Sequence, residues 1–356
     1  MRAIAVSALS ALVAVGACSV GTAFAQNPPA GTHWVGTWTT APTAQPATAT
    51  YSTAFSNQTL RQIIRVSLGG SEVRVRLSNA FGGSKSVTLW PGALILSDPV
   101  KLDVPALAHL AVSTYLPGDV PANLPITFHN IAKQTNYVSP SGDHTDAVDM
   151  PVATTKQSWY FLTGVDLAAP RSAGAVVAFG DSLTEGNLST ADTDSRWTDA
   201  LAMKLQAGGL HMGVMNEGIG GGRLLHDVNG ESGLHRFDRD VLAQPGVTHV
   251  IVLLGINDLR RRLLPGAPES EPVSADDMIA GYQQFILRAH ARGIKIIGVT
   301  LLPWESETFA PDAYTPEAGA KRHAINTWIR WSGAFDGVMD FDKLLQDPAA
   351  PGPHVA

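Results

Sequence analysis

Two regimes of hydrophobic patterning divide the chain near residue 170. Across residues 34–165 apolar and polar positions alternate with a period of two. Ile64, Val66 and Leu68 alternate with polar partners, Gly69-Gly70 interrupts, and Val73, Val75 and Leu77 then alternate with Arg74 and Arg76. Such alternation marks strands with one wet face, and the glycine pair predicts a hairpin. Short apolar runs at 87–89, 93–96, 110–115 and 158–162 follow, set apart by Pro and Gly turns. No amphipathic helix stands out. This half reads as an all-β sandwich or jelly-roll-like module over 34–165.

From Ala175 onward strands alternate with helices. Strands are predicted at 176–179, 212–215, 249–254, 294–300 and 338–341. Helices are predicted at 196–206, around 234–242, from Ser274 to Arg292 with Gly293 beyond, and from Thr315 to about Trp331 with Pro316 in the first turn. That order predicts an α/β domain over 172–356: a parallel, flavodoxin-like sheet covered on both faces, three layers in all.

Three strand ends carry polar or glycine-rich loops. The run Ala175-Val-Val-Ala-Phe-Gly180-Asp181 delivers Ser182; the second strand leads into Asn216-Glu-Gly218-Ile-Gly220-Gly221-Gly222; the third ends in Gly255-Ile-Asn257-Asp258. In a parallel sheet these ends share one edge, where ligands bind. The combination suits acyl transfer. Ser182 is the nucleophile, and the N–H groups of Ser182 and Gly220 with the Asn257 amide receive the oxyanion. Each piece alone has a plainer reading. Asp181 and Ser182 suit a helix cap, the glycines a tight turn or phosphate cradle, and Asn257-Asp258 a turn. The glycines lack both dinucleotide and P-loop spacing. Asp181 and Asp258 read as braces for backbone N–H groups rather than as reacting groups.

Composition narrows the class. With 356 residues, 45% hydrophobic and 16% charged, the chain is globular and long enough for two domains. A net charge of −6 gives no basic patch for nucleic acid. Arg2, the apolar run 4–17 and Ala23-Phe24-Ala25 predict a secretory leader over 1–25, too short for a stable membrane span. Its removal takes Arg2 and no acid, so −6 becomes −7. The sole cysteine, Cys18, lies inside it; the alternative is a lipoprotein anchored through Cys18. A secreted or periplasmic protein follows, without disulfides. The scattered histidines suggest no metal site, and no cofactor is implied. Trp34, Trp38, Trp90 and Trp159 fit a sandwich core better than a glycan-stacking surface. Ser141-Gly-Asp-His144-Thr-Asp146 reads as a polar turn or as the lining of a cleft.

The three blocks, in this order, resemble the GDSL, or SGNH, hydrolase superfamily over residues 175–341, with the module before them similar to one found in secreted bacterial GDSL-like esterases. The resemblance implies cofactor-free hydrolysis of acyl esters on lipids, aryl esters or acylated glycans. In it Ser182 is the nucleophile, Gly220 the oxyanion N–H and Asn257 the side-chain donor. It also implies an Asp-x-x-His-Pro block supplying the base. Pro351-Gly-Pro-His354-Val-Ala356 does not match that block, so the chain reads as stopping short of it. His226 and His354 are the substitutes considered; His235, His290 and His323 fall on predicted helices. Loss of the base would lower turnover by orders of magnitude. A non-catalytic glycan-binding protein and an acyltransferase are the alternative readings.

Overall fold

A computed structural model describes residues 27–45, 54–82, 89–120, 125–227, 229–260, 273–304 and 314–346, with backbone alone at 5–8 and 11–13. Most of the expected leader, Cys18 and His354 lie outside the described residues.

The first half folds into antiparallel sheets, as its alternation requires. One sheet runs Thr154–Lys156, Asn136–Ser141, Phe55–Arg65, His109–Val120, followed at its edge by the two short N-terminal stretches. Another runs Thr32–Thr39, Leu162–Pro170, Gly70–Ser78, Leu94–Leu96, with Val100–Val104 also paired to Gly70–Ser78. A small third sheet joins Trp159–Tyr160, Thr127–His129 and Thr43–Ala44. Ile64, Leu110 and Val112 from the first sheet share one core with Val73, Val75, Leu162 and Leu167 from the second. Trp38 and Trp159 sit in that core, edge to face at 5.0 Å, while Trp90 is 62% exposed.

The expected hairpin through Gly69-Gly70 does not form. Phe55–Arg65 and Gly70–Ser78 belong to different sheets. The chain turns a corner between them, held by Thr37. Ser67 N–H donates to the Thr37 carbonyl at 3.0 Å, and Leu68 N–H donates to Thr37 Oγ1 at 2.8 Å. The alternation runs unbroken through the corner because both strands bury the same side into the shared core.

The second half contains a five-stranded sheet in the order Met212–Gly218, Gly174–Gly180, Val247–Leu253, Lys295–Val299, Gly337–Met339. Numbered along the chain this is 2-1-3-4-5, the flavodoxin-like order, and the last two pairings are parallel. Helices Trp197–Ala207, Ala275–His290 and Pro316–Trp331 fall close to their sequence positions; the last two starts are capped by side chains, and at the first Asp199 Oδ2 accepts from Arg196 N–H at 3.0 Å. Ser274 Oγ accepts from Asp277 N–H at 3.0 Å, and Thr315 Oγ1 accepts from Ala318 N–H at 3.1 Å. The helix expected around 234–242 is a short α-helix, Gly233–Phe237, continued by a π-helical turn, Asp238–Leu242.

The chain divides into two compact units that do not follow the change of pattern near residue 170. One comprises Met1–Val176, Glu185–Glu217 and Pro245–Val247; the other comprises Val177–Thr184, Gly218–Gln244 and Thr248–Ala356. Residues 185–217 therefore belong with the β-module.

Candidate active site

The strand Gly174–Gly180 is buried along its whole length and stops at a glycine. Asp181 follows, and Ser182 opens a single helical turn, Ser182–Glu185. Asp181 Oδ1 accepts from Leu183 N–H at 3.0 Å, so its carboxylate caps that turn. Its Oδ2 has no hydrogen-bond partner among the described residues. Burial pushes the Asp181 carboxyl up to about 7. The Leu183 N–H and the charges of Arg260 and Arg236 oppose this, while the Asp258 charge adds to it.

The glycine loop is tied to the strand end. Ile219 N–H donates to the Gly180 carbonyl at 3.1 Å, and Gly222 N–H donates back to the Ile219 carbonyl at 2.8 Å, closing a tight turn. The Gly220 carbonyl accepts from Asn229 Nδ2 at 3.2 Å. The Ile219–Gly220 peptide is trans, so its N–H points opposite to the carbonyl that Gly222 occupies. The Gly220 N–H makes no hydrogen bond among the described residues.

Asn257 lies in the short helix Ile256–Leu259. Gly255 before it has φ +132°, and a Cβ there would lie 2.5 Å from Met278 Cε and 2.6 Å from Tyr282 Oη. Only glycine serves at that corner. Asn257 Nδ2 donates to the Gly222 carbonyl at 3.0 Å. An amide nitrogen carries two N–H bonds, so the second remains for an acceptor outside the loop. Asp258 grips the next stretch with both oxygens, accepting from Leu224 N–H at 2.8 Å and Leu225 N–H at 3.0 Å. Burial pushes its carboxyl up to about 6 against those two donors and Arg223.

A relay of three hydrogen bonds thus runs from Gly180 through Ile219 and Gly222 to Asn257, joining the three blocks that sequence singled out. Both aspartates brace backbone N–H groups, as expected. Arg236 escaped the sequence reading. Its buried guanidinium donates to the Gly180 carbonyl at 2.8 Å, pairs with Asp240 at 2.9 Å and lies 4.1 Å from the Phe179 ring centroid. The i, i+4 spacing of Arg236 and Asp240 was the available signal.

No histidine is hydrogen-bonded to Ser182 among the described residues. His226 lies past the glycine loop, and the Asp277 carboxyl is held low first by the Ser274 hydroxyl and then by the Ser274 N–H. His235 is exposed between Asp227 and Glu231, and His290 pairs with Asp336 at 2.9 Å. The Ser141–Asp146 stretch is a polar turn: Asp143 Oδ1 accepts from Thr145 N–H at 3.1 Å, and His144 N–H donates to Thr59 Oγ1 at 2.9 Å.

A strand-end serine, a glycine turn and an asparagine on a 2-1-3-4-5 sheet define the class of three-layer α/β hydrolases with the serine block first. The model of the GDSL-like Lipase/Acylhydrolase family matches residues 178–355, and the chain belongs to that family of carboxylic ester hydrolases. Similar solved structures include AlinE4, an SGNH-hydrolase family esterase, 19% identical with a TM-score of 0.38, covering 53% of this chain and 87% of that one. A putative lipolytic protein of the G-D-S-L family from Desulfitobacterium hafniense DCB-2 is 22% identical with a TM-score of 0.35, covering 49% and 81%. The acetyl xylan esterase AlAXEase is 20% identical with a TM-score of 0.36, covering 48% and 78%. No curated protein matches the chain.

Proposed function

We propose that the chain hydrolyses short-chain or acetyl esters through an acyl-Ser182 intermediate, on a substrate met outside the cytoplasm. The observation that carries this reading is the relay joining Gly180, Ile219, Gly222 and Asn257. It ties the loops that carry Gly220 and Asn257, each following a strand that neighbours Gly174–Gly180, to the end of that strand, which supports reading their N–H groups as the oxyanion donors.

In the forward step the Ser182 oxygen bonds to the ester carbonyl carbon and gives up its proton to a base. The carbonyl oxygen becomes negative and takes the Gly220 and Asn257 N–H bonds. The alcohol leaves with a proton, and water then cleaves the acyl-serine by the same route. His226 and His354 are this chain's candidates for the base. Export rests on the leader pattern at 1–25, with the Cys18 anchor as its alternative.

The test is hydrolysis of p-nitrophenyl acetate by the wild-type chain, Ser182→Ala and Asn257→Ala. Ser182→Ala is expected to fall to the buffer rate. Asn257→Ala should lose about 10²–10³ in kcat, the usual weight of one oxyanion donor. A wild-type rate equal to that of Ser182→Ala overturns the proposal.

A further inference from the structure

The mechanism above makes no use of a cluster of charged side chains just downstream of the nucleophile. Arg196 stands at its centre, 12% exposed and at the N-cap of the helix Trp197–Ala207. Its Nε donates to the Glu185 carbonyl at 3.1 Å, and its NH2 group donates to the Ala132 carbonyl. Its guanidinium carbon lies 5.8 Å from the Trp159 ring centroid. Its aliphatic stem covers Gly186, where φ is +90° and a Cβ would come within 2.6 Å of Arg196 Cγ.

The neighbouring chain is held to the same part of the β-module. Asp192 accepts from Gln134 Nε2 at 2.8 Å, Thr135 N–H at 2.6 Å and Thr135 Oγ1 at 2.6 Å. Ile131, Lys133, Asp192 and Asp194 all adopt positive φ without being glycine. Backbone strain of this kind persists only where the surroundings over-determine it. Glu185 itself faces His129 Nε2 at 3.5 Å, while His129 Nδ1 meets the Ala41 carbonyl at 2.8 Å. Glu185, His129 and Arg196 line a cavity of about 50 Å³.

A four-residue helix cannot hold itself, because a single turn fixes more dihedrals than its hydrogen bonds repay. Asp181 caps the start of the Ser182 turn. Arg196 holds its last carbonyl, that of Glu185, and covers the glycine that follows. We infer that Arg196 is a positioning residue for Ser182, clamping the far end of the nucleophile's turn to the Ala132 corner. The inference rests on the esterase reading for its kinetic consequence, though not for its structural one.

The experiment compares the full chain with Arg196→Ala and Arg196→Lys, using amide hydrogen exchange and p-nitrophenyl acetate kinetics. Near-UV circular dichroism reports the fold. In Arg196→Ala, exchange over 183–189 should rise about tenfold or more while strands 55–65 and 109–120 keep their protection. The same variant should lose about 10–100-fold in kcat with KM within about twofold. Arg196→Lys can serve one carbonyl but not the fork, so it should fall between. If Arg196→Ala does not fold, Arg196→Lys is compared with wild type on the same readouts. Unchanged exchange over 183–189 in a folded variant, or faster exchange with unchanged Ser182-dependent kcat, overturns the inference. A wild-type chain with no Ser182-dependent turnover defeats the esterase reading instead, and the exchange data then decide the clamp alone.

Discussion

Asp181 shows what the strand end costs. Its pKa in the folded chain is about 7 against 3.8 for an unperturbed carboxyl, because burial disfavours the charge. Between those values the folded chain holds a proton that the unfolded chain has released. The penalty is therefore absent below about pH 4, grows as pH rises and is complete above about 7. Asp181→Asn keeps an acceptor for the Leu183 N–H and removes the charge. Thermal melts should show it more stable than wild type at pH 8 and unchanged at pH 4, by roughly 2–4 °C for each kcal/mol relieved. Equal Tm differences at both pH values would contradict the assignment. At this scale the strand-end positions of Ser182, Gly220 and Asn257 were legible because each is fixed by local chain geometry: a strand end, a tight turn, a glycine corner. Arg236 and Arg196 were not, since their partners at Gly180 and Ala132 are 56 and 64 residues away.

Elements were legible where caps mark them and obscure where a sheet change leaves no mark. Ser274 and Thr315 announce their helices. The corner at Ser67 carries the same alternation as the strands on either side, so pattern alone reads it as one hairpin. Another element the pattern could not supply is the loop between Gly186 and Arg196. Asp194 in that loop accepts from His109 Nε2 at 2.8 Å and lies 3.6 Å from Arg65. The Asp194 carboxylate holds the His109 imidazole above its ordinary 6.5. Burial opposes ionisation of Asp194, yet His109 and Arg65 keep it below 3.8. A raised histidine adds stability that is full below 6.5 and is lost as pH rises through the folded value. His109→Gln should accordingly lower Tm more at pH 6 than at pH 9, as scanning calorimetry at the two pH values can check. A larger loss at pH 9 would reverse the sign and refute the pairing.

For the whole molecule, the change of pattern near residue 170 located the two fold types but not the compact units. Glu185–Glu217 groups with the β-module. Ser67 Oγ accepts from Val214 N–H at 2.7 Å, a pairing 147 residues long that periodicity cannot reveal. A fragment beginning at residue 172 would keep Val214, Arg196, Asp194 and Asp192 and lose Ser67, Ala132, His109 and Thr135. It is expected to lack a cooperative melt and a near-UV signal, and the chain from residue 26 is expected to show both. A cooperatively melting fragment would show that the β-module is dispensable for folding.

Asp192 and the turn at Gln134-Thr135 meet through three hydrogen bonds with almost no tolerance for change on one side alone. The two stretches are 57 residues apart, yet they are expected to drift in step as the gene diverges. A lineage that recruits a different β-module must inherit its matching 186–196 loop as well.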